Sequence, residues 1–140
     1  VSIVYFTDRD LGNAFPTTLE AHGLTVERHA AHLRHDCPDE EWLELVGRRG
    51  WVAVTRDTRI RYKPNELAAV LLHRVTMLVL IGKATHPELA TNFVRTEARI
   101  RSFLARHEPP LIGKVYRPSV VEPNPELDEP GRVSLWYPKI

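Results

Sequence analysis

The chain has a single cysteine, Cys37, so no internal disulfide can form, and a reducing, cytoplasmic setting is expected. It has almost no net charge: 19 Lys and Arg against 18 Asp and Glu leave +1, so bulk electrostatics makes no case for a nucleic-acid partner. It lacks a long hydrophobic run. The longest, Val75–Ile81, is far short of the roughly 20 apolar residues a membrane-spanning helix needs. No basic-then-apolar leader opens the sequence, so secretion is not expected. The seven glycines are scattered. None forms a phosphate-cradling loop, and Asp10-Leu11-Gly12-Asn13 is no dinucleotide fingerprint. There is no Gly-x-Ser-x-Gly elbow, which leaves acyl-transfer chemistry without support. Internal repeats and low-complexity segments are missing too.

What is present is ordinary for a globular domain. Apolar residues make up 43% and charged residues 26% of the 140, enough for one domain with its own core. That domain is expected over residues 1–116. The Pro- and Glu-rich residues 117–140 read as an irregular extension packed on it, with an edge strand at Arg132–Trp136. Strands are expected at Ser2–Phe6, Leu24–Arg28, Trp51–Val54, Val75–Ile81 and Leu111–Tyr116. Helices are expected at Asn13–His22, from Pro38 to Arg49 with Gly50 closing it, from Pro64, and from the capping-box pair Thr85 and Glu88 to about His107. His29–Asp36 reads as loop. Strands alternating with helices argue for an α/β domain with a mostly parallel sheet and right-handed crossovers.

That arrangement gathers three distant acids. Asp8 and Asp57 each lie just beyond a strand end, where open α/β sheets bind ligands. Asp39 opens a crossover helix, which runs antiparallel to its strands and so begins at the same rim. Convergent carboxylates suit a hard divalent cation such as Mg2+ or Mn2+, able to orient a water and lower its pKa beside a scissile phosphate. Each acid also has a plainer reading: Asp8 and Asp57 as turn formers, Asp39 as an acid complementing a helix dipole. Their joint placement favours function. Arg56, Arg59, Arg61 and Lys63 surround the third acid and suit a phosphate backbone, or else form a solvated basic loop. His29, His32, His35 and Cys37 cluster, but their spacing matches no zinc module, and a polar loop near the rim is the preferred reading.

The same residues carry a family resemblance. Tyr5-Phe6-Thr7-Asp8-Arg9-Asp10-Leu11-Gly12, Asp39-Glu40-Glu41-Trp42-Leu43 and Gly50-Trp51-Val52-Ala53-Val54-Thr55-Arg56-Asp57 resemble the motifs of PIN-like domains, in the branch related to VapC toxins. The basic stretch Thr58-Arg59-Ile60-Arg61-Tyr62-Lys63-Pro64 follows the Thr-x-Asp turn as in that branch. The resemblance covers about Ser2 to Leu104. It implies a three-layer α/β/α sandwich, a Mg2+ or Mn2+ centre and metal-dependent cleavage of RNA, often as the toxin of a toxin–antitoxin pair. Asp8, Asp39 and Asp57 match the acidic positions as catalytic residues and metal ligands, with Glu40 as a further ligand and Asp10 ranked below Asp8. Arg56, Arg59 and Arg61 would position the phosphate. Expected partners are RNA, an antitoxin that buries the acidic rim and a second copy of the chain; none is a membrane. One departure stands out: after Asp57 no acid occurs until Glu66, where the family commonly has a fourth carboxylate. Competing readings are a catalytically silent nucleic-acid or partner-binding module, and a receiver-like domain phosphorylated on Asp57 with Lys83 as its partner.

Overall fold

The computed structural model describes residues 2–118 and 130–138. Six strands, β1 (Val4–Thr7), β2 (Thr25–Arg28), β3 (Val52–Thr55), β4 (Thr76–Leu80), β5 (Leu111–Tyr116) and β6 (Arg132–Tyr137), form one sheet in the order β2-β1-β3-β4-β5-β6. The first five are parallel and β6 pairs antiparallel to β5. Five helices accompany them: α1 (Ala14–Ala21), α2 (His29–His32), α3 (Asp39–Arg49), α4 (Pro64–Leu72) and α5 (His86–Arg106).

Alternation along the strands divides the core in two, because successive side chains leave a strand on opposite faces. Tyr5, Val52, Val54, Leu78 and Leu80 pack with Phe15 and Leu19 of α1 and Phe93, Ile100 and Phe103 of α5. Phe6, Ala53, Met77 and Val79 pack with Trp42, Leu43 and Val46 of α3 and Ala69 and Val70 of α4. The fold is therefore a mixed α/β sandwich with helices on both faces, as the alternating pattern implied. Helices α3 and α4 lie very close. A Cβ at Gly47 would overlap the His73 carbonyl. Gly50 ends α3 in the left-handed region at φ 68°, where glycine carries no side-chain penalty. The capping box on α5 forms as expected, Thr85 and Glu88 each satisfying the other's backbone N–H.

The topology fixes where a site can lie. The chain runs from β1 outward to β2, then crosses back to β3 on the other side of β1. The strand order thus reverses between β1 and β3, and a crevice opens at their carboxyl ends. Register locks these strands together, with Tyr5 opposite Val52, Phe6 opposite Ala53 and Thr7 opposite Val54. Asp8 N–H extends the ladder by donating to the Val54 carbonyl at 3.0 Å.

Differences from the sequence reading are local. Part of the expected loop His29–Asp36 is the helical turn α2, and 3-10 turns occupy Arg9–Leu11 and Ile60–Tyr62. None of these short turns has a periodic pattern of its own. His29 is buried against the Phe6 ring and anchors α2 through tertiary contacts. The edge strand read at Arg132–Trp136 is β6, while residues 119–129 of the extension read as irregular lie outside the described residues. No helix among the described residues is long and apolar enough to cross a membrane.

Candidate active site

Strand β1 delivers Asp8 to the crevice. Its backbone is still extended, and its Oδ1 caps the following 3-10 turn by accepting from Arg9 N–H at 2.7 Å. That turn presents Asp10 on the same side. Strand β3 ends at Thr55, which is fully buried and lies between the two acids. The Thr55 hydroxyl is 2.9 Å from Asp8 Oδ2 and 3.1 Å from Asp10 Oδ2. It carries one proton, so it can fully satisfy only one of the two carboxylates at a time. Asp10 Oδ2 also accepts from Arg56 N–H at 3.1 Å, and Thr55 Oγ1 accepts from Asp57 N–H at 3.1 Å. One buried threonine therefore ties together the ends of β1 and β3.

The electrostatics follow from this crowding. Burial, then the neighbouring charge of Asp10, pushes the Asp8 pKa up to about 6, with Asp39 adding to the rise. Solvent reaches Asp10, yet the protein around its carboxyl still raises its pKa, and Asp57 contributes. Both acids are short of positive charge. Asp57 differs. Burial works against its charge, but Lys63 Nζ at 3.0 Å and the Arg59 N–H at 2.9 Å outweigh it and hold its carboxyl below the usual range.

Asp39 opens α3 and accepts from Trp42 Nε1 at 2.9 Å. Glu66, from the first turn of α4, lies beside it, a second acid crowded into the same corner. Burial first, and the neighbouring Asp39 second, push the Glu66 pKa up to about 7. Lys63 Nζ is 3.0 Å from Asp57 and 3.4 Å from Glu66, an internal cation between two of the acids.

The fold thus brings Asp8, Asp39 and Asp57 to one region and adds Asp10, Glu66, Thr55 and Lys63. Glu66 stands as a further acid despite its distance along the chain. Glu40 is half-buried in the first turn of α3, and among the described residues no contact joins it to the other acids. The arginines separate. Arg56 contributes its backbone to Asp10, and its charge moderates that acid. Arg59 is largely exposed beside Asp57, 3.4 Å away. Arg61 does not join the acids: its guanidinium lies within 6 Å of the Tyr62, Trp136 and Tyr137 rings, pinned against β6. Cation–aromatic attraction with β6, a partner distant in sequence, draws it there. The lysine on Asp57 is Lys63 and not Lys83, which removes the pairing a receiver-like reading needs.

Among the described residues no three His, Cys, Asp or Glu side chains form a ready-made metal cage. The donor chemistry nonetheless suits a hard cation. Asp8 and Asp10 offer carboxylate oxygens around one hydroxyl with too little positive charge, and Mg2+ commonly takes one or two carboxylates and keeps its waters. Two members of the His–Cys cluster have protein partners: His29 Nδ1 accepts from Arg9 Nε at 2.8 Å, and His32 pairs with Glu27.

A family model described as PIN like domain matches residues 3–82, more than half of the chain, and the chain belongs to that family. The match is to the domain class and not to the VapC branch. PIN-like domains are commonly nucleases and generally use divalent metal ions. Comparisons with curated proteins and with solved structures gave no match.

Proposed function

We propose that the protein is a metal-dependent endoribonuclease that hydrolyses phosphodiester bonds of RNA. The observation that carries this is the Asp8–Thr55–Asp10 arrangement at the strand-order reversal, two carboxylates with raised pKa values sharing one donor. Asp8 and Asp10 would hold Mg2+ or Mn2+, with Asp39 beside them. Bound there, the ion would lower the pKa of a water and neutralise charge on the phosphodiester. The chain's own groups have separable tasks. Thr55 sets the spacing of the carboxylates. Arg56 N–H fixes Asp10. Glu66, pushed up to about 7, can hold or release a proton near neutrality. Arg59, largely exposed, is placed to meet a backbone phosphate.

Cleavage of single-stranded RNA with Mg2+ or Mn2+, set against Asp8→Asn and Asp10→Asn, tests the reading. Loss in both variants is expected; undiminished cleavage by either would remove that carboxylate from the mechanism. A toxin role would pair this activity with an antitoxin whose basic side chain enters the acidic crevice, and a homodimer would place two crevices in one particle. One observation favours a second reading, nucleic-acid binding without cleavage: the Lys63 ammonium already supplies a cation among the acids. Tight RNA binding with no product under any divalent metal would select it.

A further inference from the structure

A cleft of about 250 Å³ opens beside Asp8, lined among others by Arg9, Gly12, Asn13, Arg28 and His29. It is smaller than a typical drug-sized pocket and suits a single small group. Its polar lining is specific. Arg9 Nε donates to His29 Nδ1 at 2.8 Å, and Arg9 Nη2 donates to the Leu33 carbonyl at 2.7 Å. Both acceptors are neutral. The guanidinium is therefore held in place without an opposing carboxylate among the described residues. His29 is buried, and burial together with the Arg9 charge holds its pKa down. Since Nδ1 accepts from Arg9, the ring is the Nε2–H tautomer, with that nitrogen 3.5 Å from Cys37 Sγ. Arg28 adds a second positive charge, partly offset by its ion pair with Glu20. Asn13, at the start of α1, makes no side-chain capping bond and leaves its amide uncommitted there. The one acid in the lining is Asp8.

We propose that this cleft is a phosphate subsite, binding a phosphate of the nucleic-acid strand next to the one that is cut. The assignment rests on the nuclease reading for its ligand. Its chemistry is that of an anion: a fixed guanidinium with an unopposed charge, a second arginine and a free amide beside the acid crevice. The phosphate is either an internal phosphodiester or the strand's 5′ end.

The test is binding of a labelled single-stranded oligouridylate, with and without a 5′-phosphate, by the full chain free of divalent metal over a range of salt. Arg9→Gln is expected to weaken binding about tenfold and to flatten the plot of log K against log salt by about 0.7, one phosphate contact on a single strand. Because Arg9 also anchors α2, Asn13→Asp is the deciding variant. Asn13 has no side-chain capping bond to lose, and an aspartate at a helix N-terminus is favoured by the helix dipole, so thermal stability should hold or rise while binding weakens through the added negative charge. A structural effect alone cannot divide the two readouts in that direction. Loss confined to the 5′-phosphorylated strand identifies the end as ligand; equal loss on both identifies an internal phosphate. Unchanged affinity and slope in Asn13→Asp would overturn the subsite. Cleavage by the wild-type protein together with that result would sink the subsite alone, whereas an Asn13-dependent slope without cleavage would sink the nuclease reading alone.

Discussion

Asp8 and Asp57 occupy equivalent places in the fold, each just past the carboxyl end of neighbouring parallel strands, yet their surroundings oppose each other. Asp8 faces Asp10 and shares a single hydroxyl with it, and its pKa rises to about 6. Asp57 faces Lys63 and Arg59, and its pKa falls below the usual range. Strand-end position brings an acid to the rim; the supply of positive charge decides whether it is left wanting a cation. By that criterion the proposed divalent ion belongs at the Asp8–Asp10 pair, and Asp57 is already served by the protein.

The largest effect should come from removing one half of the comparison. Asp8→Asn is expected to reduce RNA cleavage by at least about a hundredfold, the scale of losing water activation, while Asp57→Asn should reduce it less. Product formation under single-turnover conditions measures both. Next, Thr55→Val removes the buried hydroxyl that the half-buried Asp8 and the more exposed Asp10 share. A cost of about 1–3 kcal/mol is expected in urea unfolding of the metal-free protein, the penalty for leaving such groups without a partner. Lys63→Met should convert Asp57 into a second Asp8. Its carboxyl would titrate at higher pH by NMR, and an Asp57 that stayed low would show that Arg59 alone suffices.

The smallest effect is on pH dependence. The folded pKa values of Asp8 and Glu66 lie above their ordinary values of 3.8 and 4.5, at about 6 and about 7. Protonation therefore stabilises the fold. That contribution is complete below about pH 4 and is lost as pH rises through 6 and 7. Without metal, the wild-type Tm should fall relative to the Asp8→Asn/Glu66→Gln double variant between pH 4.5 and 7.5. A constant difference would contradict the charge crowding.

The sequence carried the strand–helix alternation because Val4–Thr7, Val52–Thr55 and Thr76–Leu80 are apolar runs bounded by polar turns, and their ends placed Asp8 and Asp57. The helix-direction argument placed Asp39. Applied again it would have found Glu66, since Pro64 starts α4 much as Pro38 caps α3, and Glu66 lies in the first turn. Spacing along the chain hid it, because helix α4 returns to the rim only in three dimensions. Asp10 ranks below Asp8 in the sequence because the resembled branch tolerates other polar residues there; its contact with Thr55, 45 residues away, exists only through the β1–β3 register. Arg61 misled for a related reason: a basic run reads as one surface, but its side chains diverge, Lys63 to the acids and Arg61 to the rings of β6.

The central claim is that the uncompensated pair, and not Asp57, binds the metal. Calorimetric titration of Mn2+ into the metal-free wild type, Asp8→Asn, Asp10→Asn and Asp57→Asn tests it directly. The account predicts that binding is lost or greatly weakened in the first two variants and close to wild type in Asp57→Asn. Wild-type affinity in Asp8→Asn, with loss in Asp57→Asn, would contradict it.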